Sequence, residues 1–244
     1  MNEYALIGYP LTHSFSEKYF TDKFAAEHIP DSVYKLYELP DIAALPALLK
    51  AYPHLKGLNV TIPYKESIIP FLDELDEAAA QIGAVNVIKF IQGKTKGFNS
   101  DYPGFMQSLQ IFYPDYSQAQ ALVFGAGGAA KAVFAALNHL NIPYQVVTRH
   151  RQPGQLHYED ITPALIKSNS LLINTTPLGT YPHLETCVPI PYEAITEHHY
   201  LYDLVYNPAE TLFLKLGREA GAKTKNGYEM LCRQAEVAWQ IWNF

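Results

Sequence analysis

Glycine and alanine residues between positions 122 and 140 have a spacing that suits phosphate binding. Residues 122–124 are apolar and predict a buried strand, and residues 130–140 predict a helix. Between them, Gly125-x-Gly127-x-x-Ala130 permits a tight turn, a close approach of backbone to a pyrophosphate and close packing of helix on strand. The helix N-terminus would face the phosphates. The pattern predicts a dinucleotide site, although a plain tight turn uses glycines in the same way.

The residues after the next strand bear on which dinucleotide binds. An NAD site usually has an acidic residue about 20 residues past the glycines, at the end of that strand. Here the strand ends at Thr148, Arg149-His150-Arg151 follows, and the first acidic residue is Glu159. Guanidinium groups pair with a 2′-phosphate, so the sequence favours NADP. A solvated basic turn is the alternative.

Four other stretches are dense in small polar residues that an apolar core does not need. They are 8–16 (GYPLTHSFS), 59–65 (NVTIPYK), 84–86 (AVN) and 98–101 (FNSD). The first presents two hydroxyls, Ser14 and Ser16, at a helix start, where capping is the ordinary role. The second places Asn59 and Thr61 on one side of a strand end, with Lys65 just beyond. Each stretch alone is typical of a turn or a cap, and their number indicates a site.

The elements that would position these residues fall into two halves. The first half predicts strands at 4–8, 33–38 and 57–62, helices at 66–72 and 76–82, and a hairpin turned near Gln92-Gly93. From residue 121 onward strands alternate with helices, which predicts a parallel sheet with right-handed crossovers. The closing helix, 228–242, carries an apolar face that must be buried.

Composition excludes several classes of protein. The 244 residues are 48% hydrophobic, with a formal net charge of −6, which argues against non-specific nucleic-acid binding. No apolar run is long enough to span a membrane, and the N-terminus lacks the features of a signal peptide, so we expect a cytoplasmic protein. Cys187 and Cys232 suggest neither a disulfide framework nor a metal site.

Taken in order along the chain, these stretches resemble the shikimate dehydrogenase family. The resemblance rests on the four polar stretches, the glycine turn and three later ones: 173–179 (INTTPLG), 203–208 (DLVYNP) and 226–235 (NGYEMLCRQA). It implies an α/β fold with an N-terminal mixed-sheet substrate domain plus a Rossmann-like parallel-sheet NADP-binding domain. The substrate-binding domain would consist of residues 1–100 and 225–244, and the NADP-binding domain of residues 101–224. The active site would lie in the cleft between them.

The same resemblance assigns roles to individual residues and implies NADPH-dependent reduction of 3-dehydroshikimate to shikimate. Lys65 and Asp101 would be the catalytic pair, since an ammonium beside a carboxylate can supply a proton and stabilise the developing alkoxide. The substrate would contact Ser14, Ser16, Asn59, Thr61, Asn86, Tyr206 and Gln234. The cofactor would contact Gly125, Ala126, Gly127, Gly128, Ala129, Thr148, Arg149, Arg151, Thr176, Leu204, Gly227 and Met230.

The chain departs from the family pattern at several positions, and two other functions stay open. Ser100 stands for the usual Thr, Thr180 for the usual Met, and Arg149-His150-Arg151 for the usual Asn-Arg-Thr of the phosphate turn. Glu17, Phe20 and Thr21 replace the usual Pro and His-Asn. A paralogue acting on quinate or an amino-substituted analogue is one alternative, and a non-catalytic NADP-binding sensor is another. We expect a monomer or a homodimer, with no metal, nucleic acid or membrane partner.

Overall fold

The computed structural model describes residues 1–11, 14–150 and 152–244. They form two compact units, one of Met1–Gly104 with Cys232–Phe244 and the other of Phe105–Leu231. Both boundaries fall inside helices, Asp101–Phe112 and Tyr228–Asn243. Each unit therefore contains part of both helices. The assignment of one ligand to each domain stays a prediction.

The first unit is built on a six-stranded mixed sheet, as the sequence predicts. Its strands are β1 (Asn2–Gly8), β2 (Ser32–Glu38), β3 (Leu55–Val60), β4 (Glu74–Leu75), β5 (Val87–Ile91) and β6 (Lys94–Phe98), in the spatial order β2-β1-β3-β5-β6-β4. Strands β2 and β3 run parallel to β1, and β5 runs antiparallel to both β3 and β6. Its helices are α1 (Phe15–Ala26), α2 (Leu45–Ala51), α3 (Glu77–Ile82) and the start of α4 (Asp101–Phe112).

Apolar clusters stabilise this sheet on both faces. One face packs Ile7, Leu45 and Leu58, and the other packs aromatic rings including Phe20 and Trp242. The Trp242 indole donates to the Ile88 carbonyl at 3.1 Å. At Gly57, on β3, an added Cβ would lie 2.3 Å from that ring. A side chain larger than hydrogen would therefore push the C-terminal helix off the sheet.

Two local features differ from the sequence expectation. The helix expected over residues 66–72 is only a short 3₁₀ turn, Ile69–Phe71, because Pro70 lacks the N–H that a helix interior needs. The short strand β4 is not among the predicted strands, since two residues cannot show a period-2 pattern. The expected hairpin is present, with positive φ at Gln92 and Gly93.

The second unit is built on a six-stranded sheet in which every strand pair is parallel. Its strands are β7 (Ala121–Phe124), β8 (Tyr144–Thr148), β9 (Leu156–His157), β10 (Leu171–Asn174), β11 (Tyr200–Asp203) and β12 (Lys223–Lys225). The spatial order is β12-β11-β10-β7-β8-β9. Its complete helices are α5 (Gly128–His139), α6 (Pro163–Ser168) and α7 (Leu212–Glu219), and α8 (Tyr228–Asn243) begins here. The predicted Rossmann-like parallel sheet is confirmed.

Strand order in this sheet reverses between β7 and β10. In open parallel sheets, ligands bind outside the carboxyl ends of the strands at such a switch point. Phe124 ends β7 and Asn174 ends β10, so the glycine turn and Thr175 emerge side by side. Among the helices of the described residues, none is both long and apolar enough to cross a bilayer.

Candidate functional site

The polar stretches of the first unit converge on one edge of its sheet. Because β1 and β3 are parallel, the segments that follow both strands leave at the same edge. Strand β5 is antiparallel to β3 and β6 to β5, so the start of β5 and the end of β6 lie there as well. An added Cβ on Gly8 would lie 2.5 Å from Thr61 Cγ2, which shows how closely the two segments approach. Four stretches distant in sequence thus form one polar edge.

Lys65 and Asp101 form an ion pair at this edge. Lys65 Nζ lies 2.5 Å from Asp101 Oδ2, with side-chain exposures of 19% and 10%. Asp101 is the first residue of α4, where the helix dipole favours a carboxylate. The Lys65 carbonyl accepts the backbone N–H of Val85 at 2.7 Å, which ties the lysine to the segment before β5. The pair is therefore held in place yet partly open to a ligand.

Asn86, Ser100 and Gln234 form a buried hydrogen-bonded chain beside that pair. Asn86 Oδ1 accepts the Ser100 backbone N–H at 2.7 Å, and Asn86 Nδ2 donates to Ser100 Oγ at 2.9 Å. The Ser100 hydroxyl then donates to Gln234 Oε1 at 3.3 Å. Gln234 reaches Ser100 because α8 packs tightly on α4. An added Cβ on Gly104 would lie only 2.8 Å from the backbone nitrogen of Gln234. The unit thus brings Gln234 to the polar edge.

Asn59 is also at the edge, and its amide is bonded within the protein. Its side chain is buried, Oδ1 accepts the Tyr34 hydroxyl at 2.7 Å, and Nδ2 donates to the Asn86 carbonyl at 3.2 Å. This leaves one amide hydrogen and one lone pair of Oδ1 for any ligand. The arrangement suits a side chain that supports its neighbours.

The remaining expected substrate residues divide between the two units. Ser14 is the N-cap of α1, and its hydroxyl accepts the Glu17 N–H at 3.4 Å, the predicted cap. Ser16 and Thr61 are half-buried at the polar edge. Tyr206 belongs to the second unit, where its side chain is 38% exposed. The first unit therefore gathers every expected substrate residue except Tyr206.

The glycine turn of the second unit has the properties that phosphate binding needs. Gly125 has φ of +109°, and an added Cβ would lie 2.5 Å from Thr175 Oγ1, so only glycine fits. Gly127 is the N-cap of α5 and offers no side-chain hydrogen bond to the helix. A Cβ there would meet no atom of the described residues within 4 Å. The turn therefore leaves room before the helix N-terminus, so its residues fit a pyrophosphate.

The expected 2′-phosphate residues follow β8. Thr148 ends the strand and is buried, and Arg149 is exposed. Burial raises the pKa of the Tyr158 phenol, and the nearby positive charge of Arg149 opposes that rise. Arg151 lies outside the described residues. Of the expected pair, Arg149 is placed at the strand end with its side chain open to solvent.

The other expected cofactor residues lie at the carboxyl edge of the parallel sheet. Thr176 donates both its N–H and its hydroxyl to Asn174 Oδ1, at 3.0 and 2.6 Å. A Cβ on Gly227 would lie 2.1 Å from the Leu204 carbonyl oxygen, so the segments after β11 and β12 are in backbone contact. Met230 is buried one turn further along α8. Ala126 and Gly127 are exposed, and Gly128 and Ala129 are half-buried in the first turn of α5.

Asp203 and Tyr34 are two buried polar residues of these edges that sequence reasoning did not single out. Asp203 ends β11, and its Oδ1 accepts Asn174 Nδ2 at 2.9 Å and the Val205 N–H at 3.0 Å. Its Oδ2 accepts the Thr211 hydroxyl at 2.5 Å. Burial raises the pKa of this carboxyl to about 6, against the opposing effect of these hydrogen bonds. A lone acidic residue at a strand end carries no pattern that reveals such partners.

The shifted pKa of Asp203 predicts a pH dependence of stability. Between its ordinary pKa of 3.8 and about 6, the folded chain holds the Asp203 proton and the unfolded chain has lost it. The contribution of Asp203 to the free energy of unfolding should therefore fall by roughly 3 kcal/mol across that window as pH rises. Denaturant unfolding of wild type and Asp203→Asn at several pH values measures it.

The readout is the difference between the two proteins, because other carboxyls titrate in both. Wild type should lose stability relative to Asp203→Asn from about pH 4 to pH 6, and the difference should stay constant above. Asp115→Asn, which removes an exposed carboxylate of the same unit, is the matched control. A difference that grows in favour of wild type over that window would contradict the prediction.

Comparison with known proteins relates both units to one family. The family model described as shikimate dehydrogenase substrate binding domain matches residues 6–88. A shikimate dehydrogenase (NADP(+)) of Clostridium beijerinckii is 38% identical over 254 residues, covering 99% of this chain and 92% of the relative.

Solved structures with the same fold include two proteins of this kind. A chorismate mutase/shikimate 5-dehydrogenase fusion protein from Clostridium acetobutylicum is 37% identical with a TM-score of 0.89, over 100% of this chain and 91% of that chain. Shikimate 5-dehydrogenase from Thermus thermophilus, in complex with NADP(H) and shikimate, is 30% identical with a TM-score of 0.88. That match covers 100% of this chain and 94% of that chain.

Proposed function

This chain belongs to the shikimate dehydrogenase family, and from that membership we propose that Lys65 and Asp101 are its catalytic pair. The reaction is the NADP-dependent interconversion of 3-dehydroshikimate and shikimate. In the reducing direction a ketone becomes a secondary alcohol, which requires a hydride on carbon and a proton on oxygen. The family resemblance and the NADP dependence expected from the sequence are both confirmed by the relatives.

The observation that carries the proposal is the 2.5 Å ion pair between Lys65 Nζ and Asp101 Oδ2. We assign the proton to Lys65, whose ammonium donates it to the carbonyl oxygen as negative charge develops there. Asp101 holds the ammonium in place through their ion pair. In the direction of oxidation, Lys65 takes the hydroxyl proton back. Bound NADPH supplies the hydride.

Substrate binding is assigned to the polar edge of the first unit. Ser14 and Ser16 would donate hydrogen bonds from their hydroxyl groups to the substrate carboxylate. They lie at the start of α1, where the helix dipole also favours an anion. Thr61, Asn86 and Gln234 would bind the ring hydroxyls, together with Tyr206. Asn59 would act partly through Asn86, since half of its side-chain hydrogen-bonding capacity is used within the protein.

The cofactor is assigned to the second unit. The first N–H groups of α5, behind the turn of Gly125 to Ala129, would bind the pyrophosphate. Thr148, Arg149 and Arg151 would bind the adenosine end and its 2′-phosphate. Thr176, Leu204, Gly227 and Met230 would bind the nicotinamide end. On this assignment, residues 1–104 with 232–244 are the substrate-binding domain and residues 105–231 the NADP-binding domain.

The direct test follows nicotinamide absorbance when the purified chain receives shikimate and NADP together. Reduction of NADP is the expected result, with NAD a much poorer substitute. Quinate is tested in parallel as the comparison substrate. A higher kcat/KM for quinate than for shikimate would favour the alternative of a paralogue acting on quinate. Binding of NADP without turnover of either alcohol would favour the sensor alternative. Light scattering of the same sample would distinguish a monomer from a homodimer.

Two glycines allow cofactor binding to be separated from folding. Gly127→Ala has room for its methyl group and φ of −77°, so its melting temperature should match wild type. Its NADP affinity should fall about tenfold, because the methyl group would keep a pyrophosphate from the backbone. Gly125→Ala should lose both stability and NADP binding, because its Cβ overlaps Thr175. Wild-type NADP affinity in folded Gly127→Ala would contradict the placement of the pyrophosphate.

A further inference from the structure

Asp203 is a buried carboxyl group of the second unit that the proposed reaction does not use. It ends β11 beside Asn174, which ends β10, and both side chains are fully buried. Above its pKa, which burial raises to about 6, the ionised group can only accept hydrogen bonds. Oδ1 accepts from Asn174 Nδ2 at 2.9 Å and from the Val205 N–H at 3.0 Å. Oδ2 accepts from the Thr211 hydroxyl, so the two oxygens serve different parts of the unit.

The first bond to Oδ1 fixes the amide of Asn174. The Thr176 backbone N–H lies 3.0 Å from Asn174 Oδ1, and a backbone N–H can only donate, so the amide oxygen faces Thr176. The amide nitrogen consequently faces Asp203, which accepts from it. The Thr176 hydroxyl donates to the same amide oxygen at 2.6 Å. Asp203 therefore holds the turn at Thr176 in place through Asn174.

The second bond to Oδ1 fixes the segment that follows β11. Val205 donates its N–H to Asp203, and Leu204, which lies between them, donates its own N–H to the Asn174 carbonyl at 2.9 Å. The Val205 carbonyl accepts the Gly227 N–H at 3.1 Å. One carboxylate oxygen thus connects the segments that follow β10, β11 and β12.

We propose that Asp203 is a positioning residue for the nicotinamide end of NADP. The inference rests on the proposed function, which assigns Thr176, Leu204 and Gly227 to that end. Both the hydroxyl and the N–H of Thr176 bond to Asn174, so Thr176 would contact the ring through its methyl group and the cofactor does not compete with the network. Hydride transfer needs the reacting atoms to be aligned, and a displaced nicotinamide meets that condition less often.

Asp203→Ala tests this by removing both carboxylate oxygens. We expect kcat at neutral pH to fall about tenfold, because the nicotinamide is no longer held in line. NADP should also bind more weakly. In contrast, 2′-phospho-ADP-ribose, which lacks the nicotinamide, should bind as tightly as it binds to wild type. Titration calorimetry with both ligands separates the proposal from a general loss of structure, which would weaken both ligands equally.

Three further variants complete the test. Asn174→Ala keeps the carboxylate and removes the amide that transmits its effect, so it should show the same pattern as Asp203→Ala. Asp203→Asn keeps an oxygen toward Asn174 and Val205 and should retain kcat within about threefold of wild type. Thr211→Val is the matched control, because it removes only the donor to Oδ2 and the N-cap hydroxyl of α7. It should lower the melting temperature and leave kcat and both affinities unchanged.

Three results would overturn the proposal. The first is wild-type kcat and NADP affinity in a folded Asp203→Ala or Asn174→Ala protein. The second is an equal loss of affinity for NADP and for 2′-phospho-ADP-ribose, and the third is an Asp203→Asn protein that loses as much kcat as Asp203→Ala. Wild type that binds NADP without turnover of shikimate would instead refute the proposed function, and the comparison of the two ligands would still test the role of Asp203.

Discussion

Lys65→Ala is expected to lower kcat by about 10²- to 10⁴-fold, which is the usual contribution of a positioned proton donor. Among the ion pairs of the described residues, Lys65 is the cation that pairs with Asp101, at 2.5 Å. Its removal leaves the developing alkoxide without a proton. NADP affinity should stay near the wild-type value, because the residues that we assign to the cofactor belong to the other unit.

Two further variants make this result specific. Lys65→Met keeps the alkyl chain and removes the ammonium, so it should lose as much activity as Lys65→Ala. Lys94→Ala removes an exposed lysine of the same unit that pairs with Glu74, and it should retain full activity. Steady-state kinetics in both directions measure all three. Retention of more than about one tenth of the turnover by Lys65→Ala would mean that another group supplies the proton.

Arg149→Ala is expected to weaken NADP binding by roughly 10- to 100-fold, because a charge-assisted hydrogen bond to a phosphate is worth about 1.5–3 kcal/mol. Arg149 directly follows the end of β8, where the adenosine ribose of a dinucleotide is expected. NAD has no 2′-phosphate, so its affinity should change much less. The kinetic constants of wild type, Arg149→Ala and Arg151→Ala with both cofactors measure this.

The control for this prediction is another arginine of the same unit. Arg218, on α7, pairs with Glu210 at 2.7 Å. The variant Arg218→Ala therefore removes a guanidinium group without changing the end of β8. It should leave both cofactor affinities unchanged. Equal losses for NADP and NAD in Arg149→Ala would mean that the arginine only stabilises the loop. We expect Arg149 to matter more than Arg151 because it is nearer in sequence to Thr148, the last residue of β8.

The sequence predicts local structure best where that structure depends only on residues that are close together in the chain. The pattern of residues 144–148 predicts a strand, and they form β8 with those bounds, because an apolar run ends there in a basic turn. Ser14 is predicted as a helix cap and is one, since capping is decided within three residues. The glycine turn likewise lies between strand and helix, where its pattern predicts it. In each case the information is local.

Sequence reasoning fails where partners come from far along the chain. The resemblance assigns Asn59 to the substrate, but nothing in the sequence reveals that its amide also bonds to Tyr34 and Asn86, 25 and 27 residues away. Nothing near Tyr34 in the sequence marks it as part of a site. The short strands β4, β9 and β12 are equally invisible, because their two or three residues form strands only by pairing with longer neighbours.

The return of α8 to the first unit determines the order in which the two units can be completed during synthesis. A ribosome makes all of Phe105–Leu231 before it reaches Cys232–Phe244, so the unit that begins first is finished second. Until then, the aromatic face of β1, β2 and α1 lacks Ala235, Ala238 and Trp242. Large apolar surface left open in this way is what chaperones bind on nascent chains. The apolar face of the first unit thus stays exposed for as long as the second unit is being made.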